Sequence, residues 1–521
     1  MTATLLLTPD GVDLDDLRLP FQGPMTVELT PETMAAIEAG SGVIAAAIAR
    51  GDTIYAVNTG FGKLADVRIG PDDLLELQRR LIASHMVGVG EPLSDEAVRA
   101  MLLLKIVCMA QGHSGVRQIV VDTLMAMLNA DVLPVVPAQG SVGASGDLAP
   151  LSHLAGALTG IGRVRVKGDE LSAAEGLALA GVEPLVLGPK EGVALINGTQ
   201  ASTSLALRAL FAAEATFNAA LAAGALTMEA VAGRPSALDA RIQKIRRQPG
   251  QIRVATQLRR LVEDSPVLAE EFHGRRLQDP YSLRCMPQVM GAALDLLDFA
   301  AGTLEREANS VSDNPLIFPA DDIVLSGGNF HGQPVAYAAD IIALAVCEIG
   351  SLSERRTAVM MDASMSGLAP FLIGAAGLNS GFLMAQVTSA ALVAENRALA
   401  TPCSVDSIPT SAGQEDHVSM ATHAARRTHT MAVNASYVVA IELLSAAQGA
   451  DLRSKGTLVD GTRDVLAAGT REVYEVVRKI ADFLTEDRVM AGEIEQVQDA
   501  VLANALQNMG GISLSAAGDR A

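Results

Sequence analysis

Apolar positions recur along this chain mostly with a helical period. The stretch "PDDLLELQRRLIASH" (71–85) opens on Pro71, Asp72 and Asp73, then places Leu74, Leu75, Leu81 and Ile82 at helical spacing. Proline and acids suit a first turn, where a missing N–H costs nothing and the helix dipole favours negative charge, so a helix starts here. "AVRAMLLLKIVCMAQGHSGVRQIVVDTLMAMLNADV" (97–132) predicts two long helices broken near Gly112. Beyond Gln200 helical patterns dominate, while "GRVRVKG" and "IVLSGGNF" supply short strand-like pieces. The final "MGGISLSAAGDRA" reads as a frayed tail. These patterns predict a mainly α fold in two parts. Residues 1–200 form a mixed N-terminal domain, and 201–521 form a C-terminal bundle of long helices. The Ala- and Gly-rich helices predict close packing and subunits that share one bundle.

Composition sharpens this picture. With 49% hydrophobic and 19% charged residues over 521 positions, the chain buries a sizeable core. A formal charge of -20 and a pI near 4.8 argue against nucleic acid or an anionic membrane as partner. Residues 363–394 carry no charge, but Pro370, Gly374, Gly377, Asn379 and Gly381 interrupt them, so they read as a buried helix rather than a span. The Ala-rich run 215–228 lies between Glu214 and Glu229 and is too short to span. No secretory signal is apparent at the N-terminus. Cys108, Cys285, Cys347 and Cys403 are scattered without C-x-x-C spacing, which fits a reducing cytoplasm. The eight histidines lack metal-ligand spacing, so no metal is expected.

The chemistry concentrates in short segments. "GSVGASGDLAP" (140–150) spaces Gly140, Gly143 and Gly146 as G-x-x-G-x-x-G, followed by Asp147. That is not a dinucleotide fingerprint, a phosphate loop or a nucleophile elbow. In "QDPYSLRCMPQ" (278–288), Asp279 can cap a helix with Pro280 at its first position. Tyr281 and Arg284 then share a face, with Gln288 a turn further on. An Arg there can clamp a carboxylate or make an ordinary salt bridge. In "TSAGQEDHVSM" (410–420), Ser411 and Gln414 fit a capping box with Glu415 and Asp416 in the first helical turn. Glu415 can alternatively meet a basic substrate ring. "INGTQ", "YAVNTGFG" and "SHMVGVGEP" combine turns with a single polar side chain each: Asn197, Tyr55 and His85.

Taken in order, "YAVNTGFG", "GSVGASGDLAPLSH", "INGTQ", "QDPYSLRC", "SVSDNP", "SGGNFHG" and "QEDHVSM" resemble the aromatic amino acid ammonia-lyase family, and most of all its histidine-specific members. The resemblance implies a fumarase/aspartase-like helical fold, a homotetramer with active sites drawn from several subunits, and a small amino acid as substrate. It also implies a prosthetic group, 4-methylideneimidazole-5-one (MIO), formed autocatalytically from Ala144, Ser145 and Gly146 with no external cofactor. A Gly nitrogen without a neighbouring Cβ can approach a carbonyl in a compressed turn, and a serine hydroxyl can be eliminated. Further roles follow by resemblance. Tyr55 is the β-proton base, a phenol whose ordinary pKa near ~10 must be depressed for that work. Asn197 and Arg284 hold the substrate carboxylate. Tyr281 and Gln278 surround the prosthetic ring and amino group. Phe330 lines the site, His85 sets ring selectivity and Glu415 meets the imidazole.

Some positions depart from the histidine-specific pattern: Ala56, Met86, Met286 and Gly413. Met86 and Met286 would make the pocket more apolar. This keeps open a tyrosine or phenylalanine ammonia-lyase, or a 2,3-aminomutase with the same prosthetic group. A non-catalytic helical scaffold would leave Tyr55, Asn197, Arg284 and the Ala-Ser-Gly loop together without a reason. The fumarase-like lyases share the bundle, but their G-S-S-x-M-P-x-K-x-N-P loop is absent here.

Overall fold

The stretch that opens on Pro71 folds as expected, with a 3-10 turn at Pro71–Asp73 leading into the Leu74–His85 helix. A computed structural model of the chain describes residues 3–55, 57–61, 66–269, 277–456, 466–506 and 511–515. The long apolar pattern after Ala97 becomes the Asp95–Ala110 and Gln118–Asn129 helices, with Gly112 between them at φ +78°. A left-handed glycine stops the first helix there, and an added Cβ would stand 2.2 Å from the Ala36 carbonyl oxygen.

The fold is mainly α and divides into two units. The first comprises Met1–Arg208, Ala301–Asp340 and Pro402–Arg427. It holds the strands. Ala3–Leu7 pairs in parallel with Met25–Leu29, and Arg163–Val166 pairs antiparallel with Asp169–Ser172 and with Leu133–Pro134. Ile323–Leu325 closes a hairpin with Leu316–Phe318, so both strand-like pieces expected from the sequence form. At its centre every residue of the Asp95–Ala110 helix from Ala97 onward is buried.

The second unit comprises Ala209–Ala300, Ile341–Thr401 and Thr428–Ala521. Most of the length of four long helices belongs to it: Gln200–Ala230, Met286–Ala308, Gln333–Met361 and Ala421–Gly456. Small residues let them approach. A Cβ on Gly350 would lie 3.6 Å from Ala435 Cβ, and one on Gly449 3.1 Å from Ala230 Cβ. By length and composition Gln200–Ala230 could cross a membrane, but 89% of its apolar window is buried inside the protein. Core formation therefore accounts for its apolarity.

Three sequence expectations fail here. Residues 363–394 are not one buried helix. Ala363–Ser366 ends at left-handed Gly367, a 3-10 turn follows at Pro370–Leu372, and Leu383–Leu399 buries only Ala385, Ser389, Val393 and Asn396. Asp279 does not cap the Tyr281–Arg284 helix, whose cap is Pro280; its carboxylate accepts the Arg234 amide at 2.6 Å instead. The tail is not frayed over 511–515. The amides of Ile512, Leu514 and Ser515 donate to Asn218, Glu214 and Asp298, and Leu514 is buried.

Candidate active site

The Ala-Ser-Gly loop is a tight turn, closed by the Gly146 amide donating to the Gly143 carbonyl at 3.3 Å. Ser145 is left-handed at φ +53°, a strained conformation for a residue with a side chain, and Gly143 and Gly146 both stand at φ +80°. A Cβ on Gly146 would lie 2.2 Å from the Gly198 carbonyl oxygen, so only glycine fits. Gly198, itself at φ +124°, follows Asn197, the C-terminal cap of the Glu191–Ile196 helix. Its carbonyl accepts the Asp147 amide at 2.7 Å. The Asn197 side-chain amide donates to the Ser145 carbonyl at 2.6 Å.

Asp147 pins this turn from behind. Its buried carboxylate accepts the Ser202 amide (2.7 Å) and hydroxyl (2.8 Å), the Ser141 hydroxyl (3.1 Å) and the Thr422 hydroxyl (2.5 Å). Burial raises its pKa above the usual carboxylate value, although each of these hydrogen bonds pulls the other way.

The loop opens on a cavity of about 1270 Å³ whose lining, among the described residues, comes from the first unit. Tyr55, His85, Ala144, Ser145, Asn197, Phe330 and Glu415 all line it. Gly146 is part of the same turn without being among the lining residues. Glu415 faces the loop: its Oε1 accepts the Ser145 hydroxyl at 3.0 Å, and its Oε2 accepts Thr410 Oγ1 at 2.9 Å and Ser411 Oγ at 2.6 Å. His85 ends its helix with Nδ1 2.8 Å from the Leu81 carbonyl and 3.0 Å from the Ser84 hydroxyl; a carbonyl only accepts, so Nδ1 carries the proton.

The capping box expected at Ser411 does not form. Ser411–Gly413 is a 3-10 turn with Ala412 left-handed, and the next helix starts only at Ala421. Ser411 spends its hydroxyl on Glu415 rather than on a helix amide. The two methionines expected to make the pocket more apolar do not line this chain's cavity. Met86 packs against Gly156 and Gly162, while Met286 is buried beside Gly224 in the second unit. Gly413 stands at φ +81°, a conformation that glycine and asparagine both tolerate. Ala56 lies outside the described residues.

Gln278, Tyr281 and Arg284 belong to the second unit and do not line this cavity. Tyr281 is 69% exposed, and the Arg284 guanidinium lies 4.5 Å from its ring centre. Sequence reasoning missed His331 and His417, which line the cavity with their rings stacked 5.9 Å apart. Their positions inside "GNFHG" and "QEDH" were the available signal. Among the described residues no cluster of three or more His, Cys, Asp or Glu could hold a metal.

A model of the aromatic amino acid lyase family matches residues 12–479. A histidine ammonia-lyase of Burkholderia cenocepacia is 53% identical over 450 residues, covering 86% of this chain and 89% of that protein. The crystal structure of histidine ammonia-lyase from Trypanosoma cruzi superposes with a TM-score of 0.89 at 38% identity, covering 97% of this chain and 94% of that one. Tyrosine aminomutase from Streptomyces globisporus superposes at 0.91 with 34% identity, over 98% of this chain and 100% of that one.

Proposed function

The chain belongs to the aromatic amino acid lyase family, and on that premise we propose that it eliminates ammonia from L-histidine to give urocanate, using an MIO group built from its own Ala144, Ser145 and Gly146. The loop fits that group. Its left-handed Ser145, its Gly146 with no room for a Cβ and its closed turn are what a cyclising backbone needs. Once formed, the group supplies an electrophile that no side chain provides, so that ammonia can leave.

The remaining work falls to side chains. Asn197 donates to the Ser145 carbonyl and keeps electron density drawn toward that oxygen. Tyr55, lining the same cavity, takes the β-proton. The observation that carries histidine as substrate is Glu415. Its Oε2 is saturated by Thr410 and Ser411, and among the described residues its Oε1 holds only the Ser145 hydroxyl. Loss of that hydroxyl as water leaves Oε1 a vacant acceptor in the cavity, suited to an imidazole N–H. His85 Nε2 presents a second polar contact for the ring.

Arg284 serves the substrate carboxylate, with Tyr281 and Gln278 beside it, brought by another copy of the chain in a homotetramer. Their absence from the cavity lining and the exposure of Tyr281 support that assembly. We place the enzyme in the cytoplasm, in keeping with its four free cysteines. The test is kcat/KM for histidine, tyrosine and phenylalanine, followed by the ultraviolet absorbance of the conjugated acrylate. Glu415→Gln should lower histidine turnover roughly five- to hundredfold and leave any residual tyrosine or phenylalanine turnover nearly unchanged. A wild-type enzyme that ignores histidine and converts tyrosine would overturn the substrate; a β-amino acid product would make it an aminomutase.

A further inference from the structure

Beneath the loop lies a charged group that the reading above leaves unused. Lys105 sits in the C-terminal half of the buried Asp95–Ala110 helix with its side chain fully buried. Its ammonium donates to two backbone carbonyls, Ala194 at 3.1 Å and Asn197 at 2.9 Å. These belong to the end of the Glu191–Ile196 helix and its cap, where carbonyls lack helical partners and the dipole favours a cation. Burying an ammonium is costly, and burial pushes its pKa down. An apolar side chain would serve the core of this helix at lower cost. The neighbouring Lys190–Asp313 ion pair, bonded also by Ser114, acts on Lys105 through space, and Lys190 caps the start of the helix whose end Lys105 holds.

Of the two residues that Lys105 holds, Asn197 touches the loop, and its neighbour Gly198 does so too. Asn197 bonds the Ser145 carbonyl through its side chain, and Gly198 accepts the Asp147 amide while packing against Gly146. We propose that Lys105 is a positioning residue for the prosthetic loop: by fixing the Ala194 and Asn197 carbonyls it sets the Asn197–Gly198 turn, and through that turn the Ser145 carbonyl. This rests on the reading that Ala144, Ser145 and Gly146 form the prosthetic group.

The experiment compares wild type with Lys105→Met and Lys105→Gln, using intact mass, circular dichroism and histidine kinetics. The wild-type mass tests the prosthetic group itself, since an uncyclised wild type would sink that reading whatever Lys105 does. Given a cyclised wild type, folded Lys105 variants should show a smaller dehydrated fraction, or a kcat lowered on the order of ten- to hundredfold with KM nearly unchanged. Asn197→Ala should also cost a smaller factor in the Lys105→Met background than in wild type, because the two residues act through one contact. Lys105→Gln keeps a donor and carries the same readouts if the Met variant does not fold. Folded Lys105 variants that mature fully with wild-type kcat would overturn the proposal. So would an Asn197→Ala effect of equal size in both backgrounds.

Discussion

Two buried acids, Asp147 in the first unit and Glu442 in the second, are satisfied in opposite ways. Glu442 meets a cation: Arg356 donates bidentately from Nε (2.6 Å) and Nη2 (2.7 Å), and the Thr227 and Ser353 hydroxyls complete the carboxylate. All four residues stand on long helices, and Arg356 and Glu442 are fully buried. The Asp147 carboxylate is hydrogen-bonded instead by three hydroxyls and one amide, from the loop and from the starts of the two helices that carry Ser202 and Thr422. Glu442 is thus closed by a cation from a neighbouring helix. Asp147 is held by hydroxyls and an amide, and its ties gather three segments around a strained turn. Strain of that kind persists only where the surroundings over-determine it, and here it coincides with the proposed chemistry.

The largest effect expected from breaking this comparison is on the loop side. Gly146→Ala puts a Cβ 2.2 Å from the Gly198 carbonyl in a left-handed conformation, and backbone on both sides leaves no room to yield. Purified Gly146→Ala should carry the unmodified mass and show no measurable deamination, while circular dichroism keeps its helical signal. A matured, active variant would remove the steric argument for this glycine. On the helical side, Arg356→Met strands Glu442 in the core. It should lower stability by about 3–5 kcal/mol in denaturant titrations. Activity per folded molecule should hold, because Arg356 touches no loop residue. A large kcat defect at unchanged stability would mean the second unit's charge cluster serves the reaction.

Much of this was legible in the sequence, for reasons that differ by region. Long periodic stretches such as 74–85 and 97–129 gave their helices away, since burial of one face or of all faces leaves a strong pattern. The cavity residues Tyr55, His85, Asn197, Phe330 and Glu415 were also legible, because their motifs are short and contiguous. The Ser411–Gln414 pattern misled because its serine finds a nearer partner in Glu415, drawn toward the loop by Ser145. Met86 misled because proximity in sequence to His85 does not say which way a side chain points. Lys105 stayed hidden inside an apolar helix; a lone cation in "MLLLKIVCMA" was its only trace. The docking of residues 511–515 depends on acceptors nearly three hundred positions away, beyond any local signal.

The smallest effect expected is a pH dependence beside the loop. His153 Nε2 accepts the Gly88 amide at 3.1 Å, which requires the neutral ring, and burial holds its pKa below the ordinary value. Because the folded pKa is depressed, this contribution is complete above about pH 6.5 and is lost as pH falls through the lower folded value. A His153→Gln variant, which still accepts through its amide oxygen, should lose less stability between pH 7 and pH 5, by on the order of 1 kcal/mol or less. Parallel melting curves for the two proteins would show that this contact is not what titrates.

The central claim is that the strained loop of the first unit converts itself into the electrophile that the reaction needs. Intact mass of the purified wild-type chain tests it most directly. The account predicts a mass below that of the sequence by two waters, about 36 Da, confined to the peptide that contains Ala144, Ser145 and Gly146. An unmodified mass in a preparation that deaminates histidine would contradict it.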